Sequence, residues 1–165
     1  MAIQIGIIMD PIESINFKKD TTLAILLAAQ KRECEIFYML QSDLYAYQGS
    51  SRASMKPLAV RDDENEWYSF GDIMDMELAE LDVILMRKDP PFDLNYIYST
   101  YLLEAAHEKG TLVVNNPQSL RDCNEKVFAT QFPQCCPPVL IAVSYTHLRA
   151  HETKANRVCR LLLEK

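Results

Sequence analysis

The sequence predicts an α/β fold: a mostly parallel sheet with helices on both faces and a hairpin insertion. Three observations carry this. Apolar runs of strand length alternate with amphipathic helical stretches, the order that builds parallel sheets through right-handed crossovers. The alternation breaks once, over residues 42–70, where short β-like runs flank turn residues. The main apolar runs end in charged, proline-bearing loops.

Taken in order, "AIQIGIIM" (residues 2–9) reads as a buried strand stopped by Asp10-Pro11. Asp20 is the expected N-cap of a helix over "TTLAILLAAQKR", with Leu23, Leu26, Leu27 and Gln30 on one face. Gln30 breaks the apolar pattern near the helix end. Lys31 and Arg32 complement the negative C-terminus of that helix. "CEIFYM" (34–39) is a second strand. "DLYAYQGSSRASMKPLAV" carries two β-like runs around a Gly-Ser-Ser turn, a hairpin-like insertion, and "NEWYSF" adds a short strand. Residues 81–86 form the third main strand. A helix over 95–109 follows, with Ile97, Tyr101, Ala105 and Tyr98, Leu102 as its apolar face and Gly110 as its terminator. "TLVVN" (111–115) is the fourth strand. "NPQSLRDC" reads as a loop before a helix beginning near Asn124, capped by Asp122 or Asn124.

Composition sets bounds on function. The 165 residues are 48% hydrophobic, enough for one globular core, and carry a formal net charge of −6. An acidic surface argues against non-specific nucleic-acid binding. No apolar run reaches the ~18 residues of a membrane span, and the N-terminus lacks a secretory-signal pattern. Five cysteines, an odd number without a CxxC pair, fit a reducing cytoplasm better than a disulfide framework or zinc site. Four glycines and no GxGxxG speak against a dinucleotide cradle.

In parallel α/β sheets, ligands bind beyond the carboxyl ends of the strands. Two loops fall there, after the first strand (10–19) and after the third (87–93). "LDVILMRKDPPFD" runs from Leu81 to Asp93 and places Arg87, Lys88 and Asp89 directly after a buried strand. An arginine fork pairs bidentately with carboxylates or phosphates. Pro90 and Pro91 would preorganise that loop. The competing reading is an ion pair from Arg87 to Asp89 or Asp93 that merely ends the strand. Asp10 occupies the equivalent place after the first strand, and either touches a ligand or caps its own loop. Lys126, by itself, reads as a solvated helix lysine. His107 fits a helix C-terminus, and His147 with His151 is a weak metal signal. The residues alone assign no catalytic group and no metal site.

"LDVILMRKDPPFD", "YIYSTYLLEAAHEKGTLVVNNPQSLRDCNEKVFATQF" and "GIIMDPIESINFKKDTTLAILLAAQKR" together resemble bacterial glutathione synthetase, over roughly residues 2–142. The resemblance implies a Rossmann-like substrate domain (1–122), followed by the start of an ATP-grasp domain (123–142). It implies an ATP- and Mg2+-dependent ligase that joins γ-glutamylcysteine to glycine through an acyl phosphate, in a cytoplasmic homotetramer. By this resemblance Lys126 contacts ATP phosphate, and Arg87, with Asp89 and Asp10, faces the substrate. The second ATP-binding lysine, glycine-rich loop and acidic metal ligands of such enzymes are not in this sequence. The chain is therefore expected to be inactive alone and to bind ATP and Mg2+ poorly. The alternative is a non-catalytic α/β substrate-binding or oligomerisation domain. Residues 143–165, with five Lys/Arg against two Glu, resemble the conceptual translation of a sequencing adapter, and are expected to be foreign to the gene.

Overall fold

The computed structural model describes residues 2–88, 91–123 and 127–141. Two compact units divide the chain, Met1–Arg121 and Asp122–Lys165.

The first unit is built on strands β1 (Gln4–Ile8), β2 (Glu35–Met39), β3 (Leu44–Tyr47), β4 (Ser50–Val60), β5 (Tyr68–Phe70), β6 (Met74–Glu77), β7 (Val83–Met86) and β8 (Leu112–Val114). Helix α1 (Thr21–Gln30) joins β1 to β2, α2 (Leu94–Glu108) joins β7 to β8, and α3 (Pro117–Asp122) follows β8. The sheet order is β3-β4-β2-β1-β7-β8. Its core, β2-β1-β7-β8, is parallel throughout. β4 joins β2 antiparallel and also pairs antiparallel with β3, β5 and β6. The α/β class and the hairpin insertion are as expected.

Period-two alternation along β1 and β2 feeds two separate cores. Ile7, Ile36 and Tyr38 pack with Leu23, Leu26 and Ala29 of α1 and with Leu58 and Val60 of β4. Ile8, Phe37 and Met39 pack with Ile84, Met86, Leu103 and Ala106. The helices therefore cover opposite faces. Gly6 lies on the α2 side, where a Cβ would stand 2.6 Å from Leu81 Cδ1 and 3.0 Å from Met39 Cε. Its missing side chain lets those two residues close over the strand.

Asp20 caps α1, accepting a hydrogen bond from Leu23 N at 2.8 Å. α2 ends in a Schellman turn: Gly110 N donates to His107 O, and Thr111 N donates to Ala106 O. Gly110, at φ +111°, takes the left-handed position this turn requires.

Two sequence expectations need correction. The apolar face read on α2 is not its buried face. Tyr98 and Tyr101 are exposed, whereas Ser99, Thr100, Leu103 and Ala106 are buried. The buried hydroxyls are satisfied within the helix, Ser99 Oγ donating to Asn95 O and Thr100 Oγ1 to Ile97 O. The stretch "NPQSLRDC" is not a loop, because Pro117–Asp122 forms α3. Asn116 starts it by accepting from Ser119 N at 3.1 Å, with Pro117 at the first helical position. Asp122 is the last residue of this helix. Arg121 ties α3 to α2 through Thr100 and both oxygens of Glu104, and lies 4.4 Å over the Tyr101 ring.

In the second unit, single 3-10 turns form at Phe128–Gln131 and Pro133–Cys135, and the Phe128 ring packs tilted against Phe132. The helix start expected at Asn124 and the tail 143–165, with His147, His151 and Cys159, lie outside the described residues.

Candidate functional site

From β1 the chain passes through α1 to β2 on one side, then later returns to β7 on the other side of β1. The loops after β1 and β7 therefore diverge, one toward each neighbour, and leave a crevice at their carboxyl ends. The β1–β7 ladder carries on to its mouth, with Arg87 N donating to Ile8 O at 2.7 Å. Arg87 is thereby placed by the sheet, not by a free loop.

The Arg87 side chain reaches across to the first turn of α1. Its Nε donates to Thr22 Oγ1 at 3.2 Å and its Nη2 to Thr21 Oγ1 at 2.9 Å. The guanidinium is held by neutral hydroxyls, which orient it without cancelling its charge. Asp93, one of the two carboxylates considered as its ion-pair partner, instead caps α2 by accepting from Tyr96 N at 2.9 Å. Asp89, the other, lies outside the described residues.

Lys88 Nζ stands 2.8 Å from Asp10 Oδ1, with the Lys88 side chain largely withdrawn from solvent and the Asp10 side chain 35% exposed. This pair links the β1 and β7 loops. A cavity of about 200 Å3 opens between the loops and α1, and Asp10, Lys19, Asp20, Thr21, Thr22 and Arg87 line it. Arg87 and Asp10 thus come together as the sheet argument requires. Thr21, Thr22, Lys19 and Asp20 were not read as site residues. The available signal was the order itself: the first turn of the helix after β1 must start at the carboxyl end of β1. Lys126 lies outside the described residues.

The loop after β1 is pinned from below. Ile12 is fully buried, and its backbone interacts with the Tyr38 hydroxyl in a way that favours the ionised phenol. Burial pushes the Tyr38 pKa up to about 12, outweighing that backbone influence. Tyr38 stays a neutral prop at physiological pH. A second polar network lies on the antiparallel strands. Tyr45 and Arg52 hydrogen-bond the Asp75 carboxylate and hold it below the usual range. Lys109 does the same for Glu77 across a 2.5 Å contact. These exposed pairs join β3, β4, β6 and the end of α2 and do not line the cavity.

Among the described residues, no three His, Cys, Asp or Glu side chains converge to hold a metal ion. No helix there is long and apolar enough to cross a membrane.

Comparison with known proteins places the α/β unit in a family. The model of the prokaryotic glutathione synthetase N-terminal domain matches residues 3–121. Glutathione synthetase of Pseudomonas putida is 61% identical over 142 residues, covering 86% of this chain and 45% of that protein. That of Photorhabdus laumondii is 56% identical over 156 residues, covering 94% and 49%. That of Escherichia coli O157:H7 is 53% identical over 156 residues, covering 94% and 50%. The chain spans about half the length of the curated relatives it matches. With the family model covering the whole α/β unit up to Arg121, the chain belongs to the family of prokaryotic glutathione synthetase N-terminal domains.

Proposed function

We propose that this chain is the substrate-side part of a glutathione synthetase, a ligase that joins γ-glutamylcysteine to glycine at the expense of ATP and Mg2+. The observation that supports it most is Arg87. It is fixed by a backbone bond to β1 and by two threonine hydroxyls, at the mouth of a cavity at the sheet's switch point. Such a guanidinium orients a substrate carboxylate bidentately.

In this reading residues 1–122 form the substrate domain, 123–142 begin the ATP-grasp part, and 143–165 are a foreign tail. Lys126 contacts an ATP phosphate, since phosphoryl transfer needs cations around the phosphates and metal ions between them. Asp10 shapes the substrate cavity through Lys88, and Asp89 belongs to the same loop. The described residues do not supply a metal-ligand set, so no step through Mg2+ is assigned to them. The complete synthetase is a cytoplasmic homotetramer in this reading.

The test is calorimetry with γ-glutamylcysteine on the 165-residue chain and on Arg87→Ala. Loss of a charge-assisted pair weakens binding by about tenfold or more. Equal heats for the two proteins would sink the Arg87 clamp.

A further inference from the structure

The loop after β1 supplies Asp10, Ile15, Lys19 and Asp20 to the cavity. Hydrogen bonds within it are short-range. Asn16 accepts from Lys18 N through Oδ1 at 3.1 Å, and from Lys19 N and Asp20 N through its carbonyl at 2.9 Å. Such turns set the local path of the chain, but they do not fix the loop against the rest of the domain. Its other side chains do that. Ile12 is buried in the same core as Tyr38. Phe17 meets Trp67, with ring centroids 6.0 Å apart and planes tilted by 52°. Lys18 Nζ reaches Glu64 Oε2 at 3.0 Å.

Trp67 and Glu64 both belong to the connection between β4 and β5. Arg61 N closes that connection by donating to Trp67 O at 2.8 Å. Asp63 tightens it, accepting from Asn65 N through Oδ1 at 2.9 Å and from Glu66 N through its carbonyl at 3.2 Å. Trp67 is thus fixed next to the Val60–Tyr68 pair of the β4–β5 ladder. From Trp67 a row of rings runs to Tyr38: Trp67–Tyr68 at 5.5 Å, Tyr68–Phe70 at 5.2 Å and Phe70–Tyr38 at 5.0 Å. The loop meets this row at both ends, through Phe17 at Trp67 and through Ile12 at Tyr38.

The two contacts with the β4–β5 connection are unequal. The Lys18 and Glu64 side chains are 71% and 57% exposed, and an ion pair that open contributes little. Phe17 and Trp67 pack against the α1-side core, and tilted ring pairs attract beyond the area they bury. Trp67 Nε1 is buried and makes no hydrogen bond among the described residues, so its hold on Phe17 comes from ring packing.

We infer that the β4–β5 hairpin positions the loop after β1, with Trp67 as the positioning residue. Trp67 holds Phe17, and through Phe17 the segment that presents Ile15, Lys19 and Asp20. The inference rests on the substrate-side reading above and adds a distant control of its affinity. A loop held in its bound shape beforehand costs less to order when the ligand arrives. A loop in that shape only about a tenth of the time binds about tenfold more weakly.

The experiment follows amide hydrogen exchange and γ-glutamylcysteine titration of the 165-residue chain under reducing conditions. In Trp67→Ala, amides of residues 12–20 should exchange about tenfold faster or more, and binding should weaken about tenfold. Amides of β7, α2 and β8 should exchange as before, whereas a general loss of stability would speed them too. Trp67→Phe keeps a ring and removes only a donor that has no partner, so it should restore both readings to within about twofold. Glu64→Gln should change neither by more than about twofold. Phe17→Ala removes the same contact from the loop side and decides alone should Trp67→Ala not fold.

Unchanged loop exchange in Phe17→Ala overturns the inference. A freed loop with undiminished affinity overturns it equally, as does a loss in Glu64→Gln as large as that in Trp67→Ala. A wild-type chain that gives no binding heat with γ-glutamylcysteine is a different failure: the substrate-side reading then falls and takes this inference with it.

Discussion

Gln30 shows how a single side chain can be misread along one dimension. In sequence it interrupts an apolar stripe at the end of α1. In the fold its amide brackets one residue of β4, Nε2 donating to Val60 O at 2.6 Å and Oε1 accepting from Val60 N at 2.7 Å. Val60 is 1% exposed, so water cannot readily replace those bonds. Gln30→Ala should destabilise the domain by about 2 kcal/mol, because a buried donor and acceptor lose their partners together. Urea unfolding followed by far-ultraviolet circular dichroism measures this, and an unchanged midpoint would refute the bracket. Local pattern could not have shown it, since the partner lies 30 residues away. Asp20 is the contrary case. Its cap on Leu23 N is a contact over three residues, and local spacing reads such contacts directly. The hydroxyls that hold Arg87 sit 65 and 66 residues from it, and only the sheet order brings them within reach.

Helix α2 was legible in its span, and its inward face was not. Both sides of this helix carry apolar residues, so periodicity alone offers two stripes. Counting aromatic and aliphatic residues favours the one with Tyr98 and Tyr101. The structure turns the smaller set inward, because Ser99 and Thr100 satisfy their own hydroxyls on backbone carbonyls and so cost little to bury. Their small volume lets α2 approach β8 and β4. Leu103, fully buried in the α2-side core with Ile84 and Ala106, anchors this face. Leu103→Ala should cost about 2–5 kcal/mol, whereas Tyr98→Ala, 64% exposed, should change stability by no more than about 0.5 kcal/mol. The reverse ranking in paired urea melts would restore the sequence-based face. α3 was missed for a different reason. Its start signal, Asn116 followed by Pro117, is a good helix opening, but six residues are too few to show a period.

At the scale of the whole molecule, alternation of strand and helix sufficed to predict a parallel core and to point to its carboxyl end. It could not give the hub role of β4. That strand pairs with β2, β3, β5 and β6, and non-local pairings leave little local trace beyond a long β-like run. The sheet argument also bears on what this polypeptide can do by itself. The cations at the cavity are Arg87 and Lys19, with Lys88 behind Asp10. Two acids, Asp10 and Asp20, stand among them. Transfer of a phosphoryl group needs metal ions bridging the transferred group, and among the described residues no three His, Cys, Asp or Glu side chains converge to hold one. The 165-residue chain should therefore release no ADP above background when given γ-glutamylcysteine, glycine and Mg-ATP in a coupled assay. The same preparation should still give a binding heat with γ-glutamylcysteine alone. Steady ADP release dependent on both substrates would show that chemistry resides within these 165 residues, and would overturn the assignment of this chain to substrate binding without catalysis.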